Sequence, residues 1–508
     1  MKLKFYYIIY LTITSFLIGM SCSEYLDRPD ANFVEEQNFW RNEKDAIAAL
    51  AGVYDGFQSR NLMGEMYRTF DRMTDNAITA GSPDWLAFEV DELSPSNVVL
   101  ERMWSDYYII ISRANRLIKN VPLIEDISPD NQNRIVAEAK FLRAYAYYDL
   151  CMLWGDVPFY LLPKRSVDKP EAPSKKENIF SYMIEELDEI ADDLPETLQA
   201  DELGRAPKAA VQALLGKYYL TNKQYSEAAD VLDNIIESKL FELHPDYAAL
   251  FTTAGEFSKE NIFEINFDAS SIDEGEYFSV RIDTLAAPLV PSRLWKPLPD
   301  LVESYLLTDG KPIKNHPLYG NKSPLYDNNN RFENRDPRLR VNVFTNADNT
   351  PGGKKIWNWT GVNTFAVKKY TLISNQQFTN GGPQNYYLIR YADVLLMYAE
   401  AQNEAIGPDQ SVHTAMNTVR RRVQMPDIPT GLNQDDMRQY IRDERRWEFA
   451  GEHQRFFDLR RWGILSDRAM EASNKKIYDP IRALTWPYPQ LEMDKNAALK
   501  AMGQNDGY

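Results

Sequence analysis

The sequence predicts a mainly α-helical protein made of paired helices, with long loop-rich insertions carrying short β segments. Three observations point there. Apolar residues recur at helical spacing in segment after segment, beginning with Ala46, Leu50, Val53, Tyr54 and Phe57. Small residues such as Ala209, Gly216, Ala228 and Ala229 stand where two such segments would touch. The texture then changes over residues 255–385, which are rich in Gly, Pro, Asn and Asp.

In chain order, residues 1–21 read as a secretory signal, with Lys2 and Lys4 ahead of an apolar run over 5–18. Gly19-Met20-Ser21-Cys22 resembles a lipoprotein cleavage site, with Met20 where a small residue is usual. Cys22 would then be the lipidated first residue, held in the membrane by its acyl chains. Residues 22–40 follow as anchor and tether, polar and acidic until Phe39-Trp40.

Helices are expected over 42–59, with Asn42 as N-cap, and over 100–120, 133–154 and 178–194. The third stops at Gly155 and Pro158, the fourth at Pro195. Residues 207–220 and 225–238 form the clearest pair. Pro207 suits a helix start, and the small and large residues of the pair are similar to a tetratricopeptide repeat. Residues 389–403 and 410–423 look like a later pair. About four such pairs would stack into a right-handed scaffold. Residues 41–254 are then an N-terminal helical region and 255–508 a C-terminal one, with the insertion at 255–385. Short β-like runs fall at 262–267 and 340–344, a short helix at 301–305, and a second insertion at 71–97. Such excursions are where a stiff scaffold usually carries its function.

Fifty-seven basic residues stand against 74 acidic ones, a net charge of -17. That argues against nucleic acid or anionic lipid as the main partner and suits an uncharged ligand. After the first twenty or so residues, nothing is long and apolar enough to span a bilayer. The two cysteines, Cys22 and Cys151, and four scattered histidines argue against a Cys/His zinc site. Cys151 falls in an apolar helical run and reads as a packing residue. No EF-hand spacing is visible, and neither metal nor cofactor is expected.

Residues 441–462 are half charged yet laced with Trp447, Phe449, Phe456, Phe457, Leu459 and Trp462. At helical spacing, Ile441, Arg445, Phe449, Glu452, Phe456 and Leu459 share one side. A charge inside an apolar stripe is costly unless paired. Arg445, Glu448, Glu452, Arg455 and Asp458 are therefore expected to form a partly buried ion network that clamps neighbouring helices. The bland reading is a solvated helix with ordinary i,i+4 pairs.

The same stretch is similar to the ER-x-x-E…E-x-x-R-x-x-D-L-R-R-W signature of the SusD/RagB family. Other matches follow in order. Tyr25-Leu26-Asp27, Pro29 and Phe39-Trp40 resemble its opening. Phe141-Leu142-Arg143-Ala144 and Trp154-Gly155-Asp156-Val157-Pro158 resemble a later segment, with Trp154 in place of Tyr. Asn334-Arg335-Asp336-Pro337-Arg338-Leu339 and Arg390-Tyr391-Ala392-Asp393 resemble two more. Pro487, Pro489 and Gln504-Asn505-Asp506-Gly507-Tyr508 resemble its ending, with Asp506 in place of Pro. These motifs mix buried aromatics, small residues and charges that need partners, so they read as scaffold. The resemblance implies a SusD-like fold and a non-catalytic, glycan-binding lipoprotein of the outer membrane, facing the cell surface. Its implied partner is a SusC-type TonB-dependent transporter.

A sugar ring offers an apolar C–H face and a rim of hydroxyls, so its binder needs a flat aromatic with amides, carboxylates or guanidiniums nearby. Trp85, in a turn-forming stretch with Asp75, Asn76 and Asn97, is the first candidate. Tyr277 and Trp295, with Arg281 and Arg293, are the second. Trp357 and Trp359 alternate along one strand-like run and form the third. In each case the bland reading is core packing. Two other functions stay open. A secreted helical glycosidase needs two carboxylates across a cleft, and 74 acidic residues leave that available. A tetratricopeptide-like adaptor would bind protein alone.

Overall fold

The computed structural model describes residues 39–64, 67–78, 83–89, 92–164, 169–270, 274–277, 280–283, 296–345, 347–348, 365–374, 381–473 and 479–508. The signal, Cys22 and the tether up to residue 38 lie outside the described residues.

Eleven helices of eight residues or more are described: α1 (Glu43–Gln58), α2 (Val98–Asn120), α3 (Pro129–Trp154), α4 (Lys176–Ile190), α5 (Lys208–Thr221), α6 (Tyr225–Ser238), α7 (Tyr391–Ile406), α8 (Gln410–Arg422), α9 (Gln434–Glu448), α10 (Gln454–Arg461) and α11 (Leu465–Ser473). Several starts follow from side-chain caps. Asn42 accepts from the Lys44 and Asp45 amides, Asn97 from Val99 and Leu100, and Ser128 from Asn131, each satisfying amides that the helix leaves free. From α1 to α8 each helix packs on the next. The four expected pairs are therefore α1/α2, α3/α4, α5/α6 and α7/α8. The longest excursion of the chain separates α6 from α7, yet these two pack directly together. The repeat thus continues across the insertion. In the α5/α6 seam, a Cβ on Gly216 would fall 2.8 Å from the Leu232 side chain, which is why a small residue is needed there.

The strands are short: β1 (Ala77–Ile78), β2 (Val157–Pro158), β3 (Pro173–Ser174), β4 (Asn261–Ile265), β5 (Val280–Asp283), β6 (Lys296–Pro297), β7 (Val343–Phe344), β8 (Ala366–Val367), β9 (Thr371–Ser374) and β10 (Tyr386–Arg390). They form two-stranded ladders, β1 with β6, β2 with β3, β4 with β10, β5 with β9 and β7 with β8. The antiparallel β4/β10 ladder sets Tyr386 opposite Ile265 and Arg390 opposite Asn261. It joins the insertion to the start of α7.

Several expected boundaries move. Ile389 and Arg390 belong to β10 rather than to a helix, because their partners on β4 hold them extended. Arg340 lies in the short helix Pro337–Asn342, started by the Asp336 cap and Pro337, and only Val343 and Phe344 are strand. The helix expected over 301–305 spans Pro299–Ser304. Trp85 lies on the short helix Pro83–Glu89 rather than in a turn. Residues 441–462 are not one helix. α9 ends at Glu448, and α10 begins at Gln454 after a turn in which Gly451 has φ of 82°, a backbone region that favours glycine.

Candidate functional site

That turn distributes the charged stretch over three interior clusters. In the first, Arg390 binds Glu452 at 2.9 and 2.7 Å, Glu260 at 2.5 Å and Glu448 at 3.1 Å. Arg422 reaches Glu448 and Glu260, Lys369 reaches Glu452, and Arg338 spans Asp336, Glu444 and Glu448. Arg420 closes the set on Glu444 at 2.6 Å. Five acids thus meet five bases, so no net charge is buried. Burial alone would raise Glu448, but Arg422, Arg390 and Arg338 outweigh it and hold the carboxyl well below the usual range. In the second cluster Arg445 joins Asp393 at 2.9 Å to Asp458 at 2.8 Å, and Arg461 joins Asp458 to Glu400. In the third, Arg455 meets Asp75. These side chains are nearly all sealed from solvent. Arg445, Glu448, Glu452, Arg455 and Asp458 therefore do not form a single network: Glu448 and Glu452 share Arg390, Arg445 and Asp458 hold each other, and Arg455 stands apart on Asp75.

The third cluster corrects a ligand assignment. Asp75 is fully buried and is held by Arg446, Arg455 and Arg468 at 3.4, 2.7 and 3.1 Å. Burial would raise its carboxyl, but these positive charges hold it far below the usual range. Asn76 is also sealed, accepting from Arg446 at 2.8 Å and donating to Asp71 at 3.1 Å. Asn97 caps α2 and donates to the Asp84 carbonyl at 2.9 Å. All three are committed to the protein and do not form a sugar-binding rim. Arg293, Trp295, Trp357 and Trp359 lie outside the described residues, as do the side chains of Trp85 and Arg281.

Tyr277 has a different setting. It stands half-buried beside an open hollow of about 410 Å³, whose lining includes Asp55, Gln58, Arg60, Asp106 and Arg113. Its amide donates to the Gly64 carbonyl at 2.8 Å, which ties the insertion to the end of α1. The Arg60 guanidinium lies 4.5 Å from its ring centroid, a cation–π contact that orders both groups. Around them, Asp106 accepts from Ser59 at 2.5 Å and Asn61 at 2.9 Å. Arg113 donates to Asp55 at 2.6 Å. The result is a fixed ring edged by hydrogen-bonding groups of both signs. Sequence reasoning reached Tyr277 but missed the rest. Asp55 and Gln58 lie on α1 and Asp106 and Arg113 on α2, and nothing local says which insertion faces them.

A stack of helix pairs that presents a preformed hollow against an inserted loop is the design of a ligand-binding scaffold. The comparisons are specific. The family profile described as "SusD family" matches residues 259–508, and one described as "Starch-binding associating with outer membrane" matches residues 24–220. The chain belongs to the SusD/RagB family. The SusD-like protein P25 of Formosa agariphila is 26% identical, over 96% of this chain and 97% of that one. A SusD-like carbohydrate binding protein from Bacteroides fragilis superposes with a TM-score of 0.77 at 25% identity, covering 91% of this chain and 99% of that one. Surface glycan-binding protein A from Bacteroides thetaiotaomicron, solved in complex with laminarihexaose, gives 0.73 at 21% identity, over 91% and 99%.

Proposed function

We propose that this protein is a non-catalytic glycan-binding protein of the outer membrane. It captures oligosaccharides at the Tyr277 hollow and passes them to a TonB-dependent transporter of SusC type. The observation that carries the reading is the ordered Tyr277–Arg60 pair at the edge of an open hollow ringed by hydrogen-bonding side chains. Membership of the SusD/RagB family and the glycan-bound relative support it. Lipidation at Cys22 supplies the anchor, and the transporter partnership follows from the family alone.

The test is calorimetry of the mature protein against plant, algal and host oligosaccharides, beginning with laminarihexaose. Tyr277→Ala is expected to weaken binding about tenfold, or about 1.4 kcal/mol, while the melting transition stays in place. Absence of binding across the panel would remove the reading. Steady release of new reducing ends would make the protein a glycosidase instead. Co-purification with a transporter tests the partnership separately.

A further inference from the structure

The Tyr277 hollow has a neighbour along α1. A second hollow of about 530 Å³ lies beside it, and the two linings share Asp55 and Gln58. On α1, Ile47, Leu50, Ala51, Tyr54, Asp55 and Gln58 recur at the spacing of one helix face. That face is apolar toward its amino end and polar where the two linings overlap. The other walls are β4, through Glu264 and Ile265, and the loop carrying Leu203 and Arg205. Ile47 and Leu203 remain 43% and 41% exposed, so the apolar floor is open.

Hydrogen bonds between the walls fix this shape. Gln58 donates to the Asn266 carbonyl at 2.7 Å, and Asn266 donates to the Leu203 carbonyl at 3.3 Å. Arg205 is locked to Glu138 at 3.1 and 2.5 Å. A site held open in this way has little ordering left to do on binding.

We propose that the two hollows form one cleft that takes an extended, uncharged oligosaccharide, with further rings lying over Ile47, Ala51 and Leu203. This rests on the glycan reading above. A sugar chain presents C–H faces to such a floor and hydroxyl edges to Gln58, Arg205, Asn266 and Glu274. A lipid tail would displace water from Asp55 and Glu274 and give their carboxylates nothing in return. An anionic chain would need free positive charge, but Arg113 is engaged by Asp55, Arg205 by Glu138, and Arg60 lies over Tyr277. Asp55, Asp106 and Glu274 also line the cleft. Burial pushes Glu264 up to about 8, so it adds little charge at neutral pH.

Gly52 provides the test. It lines the second hollow, and a Cβ built on it meets nothing within 4 Å. Gly52→Phe should therefore fill the hollow without straining α1. Leu203→Glu, at an exposed loop position, is the second variant. Affinities of the mature protein are measured for length ladders of uncharged β-1,3-glucan, α-1,4-glucan and β-1,4-xylan, and for one sulfated ladder. In the natural protein, the best uncharged ladder should gain about tenfold from its shortest to its longest member. Both variants should keep the shortest ligands within about twofold and lose that gain. If the gain survives in both variants, or the sulfated ladder binds best, the inference is overturned and the glycan reading stands. If no ladder binds the natural protein, the glycan reading itself fails.

Discussion

Asp75 and Arg455 lie 380 positions apart in the chain and meet through two hydrogen bonds of 2.9 and 2.7 Å between buried side chains. This pair ties the first insertion to α10. Arg446 and Arg468 bear on the same carboxylate. Asp75→Asn would leave them without their buried counter-charge. Removing one partner of a buried pair typically costs about 3–5 kcal/mol, and urea unfolding of Asp75→Asn should show a loss of that order. Glycan affinity of the folded variant should stay within about twofold. A stable variant that no longer binds would return Asp75 to the ligand site.

Arg445 makes the same argument in the second cluster. It bridges Asp393 on α7 and Asp458 on α10. Arg445→Leu takes one buried partner from each carboxylate, leaving Asp393 to Lys217 at 3.2 Å and Asp458 to Arg461 at 2.8 Å. Its expected cost is again about 3–5 kcal/mol, read as a lower urea midpoint and a smaller soluble yield. An unchanged midpoint would mean that Lys217 and Arg461 suffice for these carboxylates and that Arg445 does not hold the helices together.

The scaffold was legible because its signals are local. Asn42 caps α1, Gly216 admits Leu232, and apolar residues repeat at helical spacing. The mixture of charges and aromatics around Arg445 also announced a buried ion cluster. What could not be read was the partner of each charge. Glu260, Asp336 and Arg422 carry no local sign that they converge on Glu448 or its neighbours. The site divides in the same way. Tyr277 stood out as an aromatic in a loop, whereas Asp106 and Arg113 acquire meaning only once that loop folds against α1 and α2. Asp75 and Asn76 misled because a polar residue in an insertion looks solvated. Here the arginines of α9 and α10 reach out and bury them.

Asp149 gives the protein a pH signature. It is buried and accepts from the Tyr67 and Tyr107 hydroxyls at 2.5 and 3.0 Å. Burial pushes its carboxyl up to about 7, against about 3.9 in an unfolded chain. Between those values the native state keeps a proton that the unfolded state has released. The stability this contributes is complete below pH about 4 and is lost as pH rises through about 7, at up to about 1.4 kcal/mol per unit. His453 acts in the opposite sense, because burial holds it well below 6.5 and its contribution is lost as pH falls. The two partly cancel in the natural protein, so the comparison to make is with Asp149→Asn. The stability difference, natural minus variant, should fall by about 2–3 kcal/mol between pH 5 and pH 8 in urea unfolding. A difference independent of pH would show that Asp149 is ionised in the native state.

Gly451 sets the break between α9 and α10. Its φ is 82°, and its amide donates to the buried Asp71 carboxylate at 2.8 Å. The next residue, Glu452, is the one that Arg390 and Lys369 grip, so the turn determines whether the first cluster can assemble. Alanine in this left-handed region costs about 1–2 kcal/mol, while asparagine adopts it more readily. The expected stability order is therefore glycine, then Gly451→Asn, then Gly451→Ala, measured by urea unfolding. If Gly451→Ala matched the natural protein, the chain would have to turn by another route, and the strict placement of Glu452 argued above would be wrong.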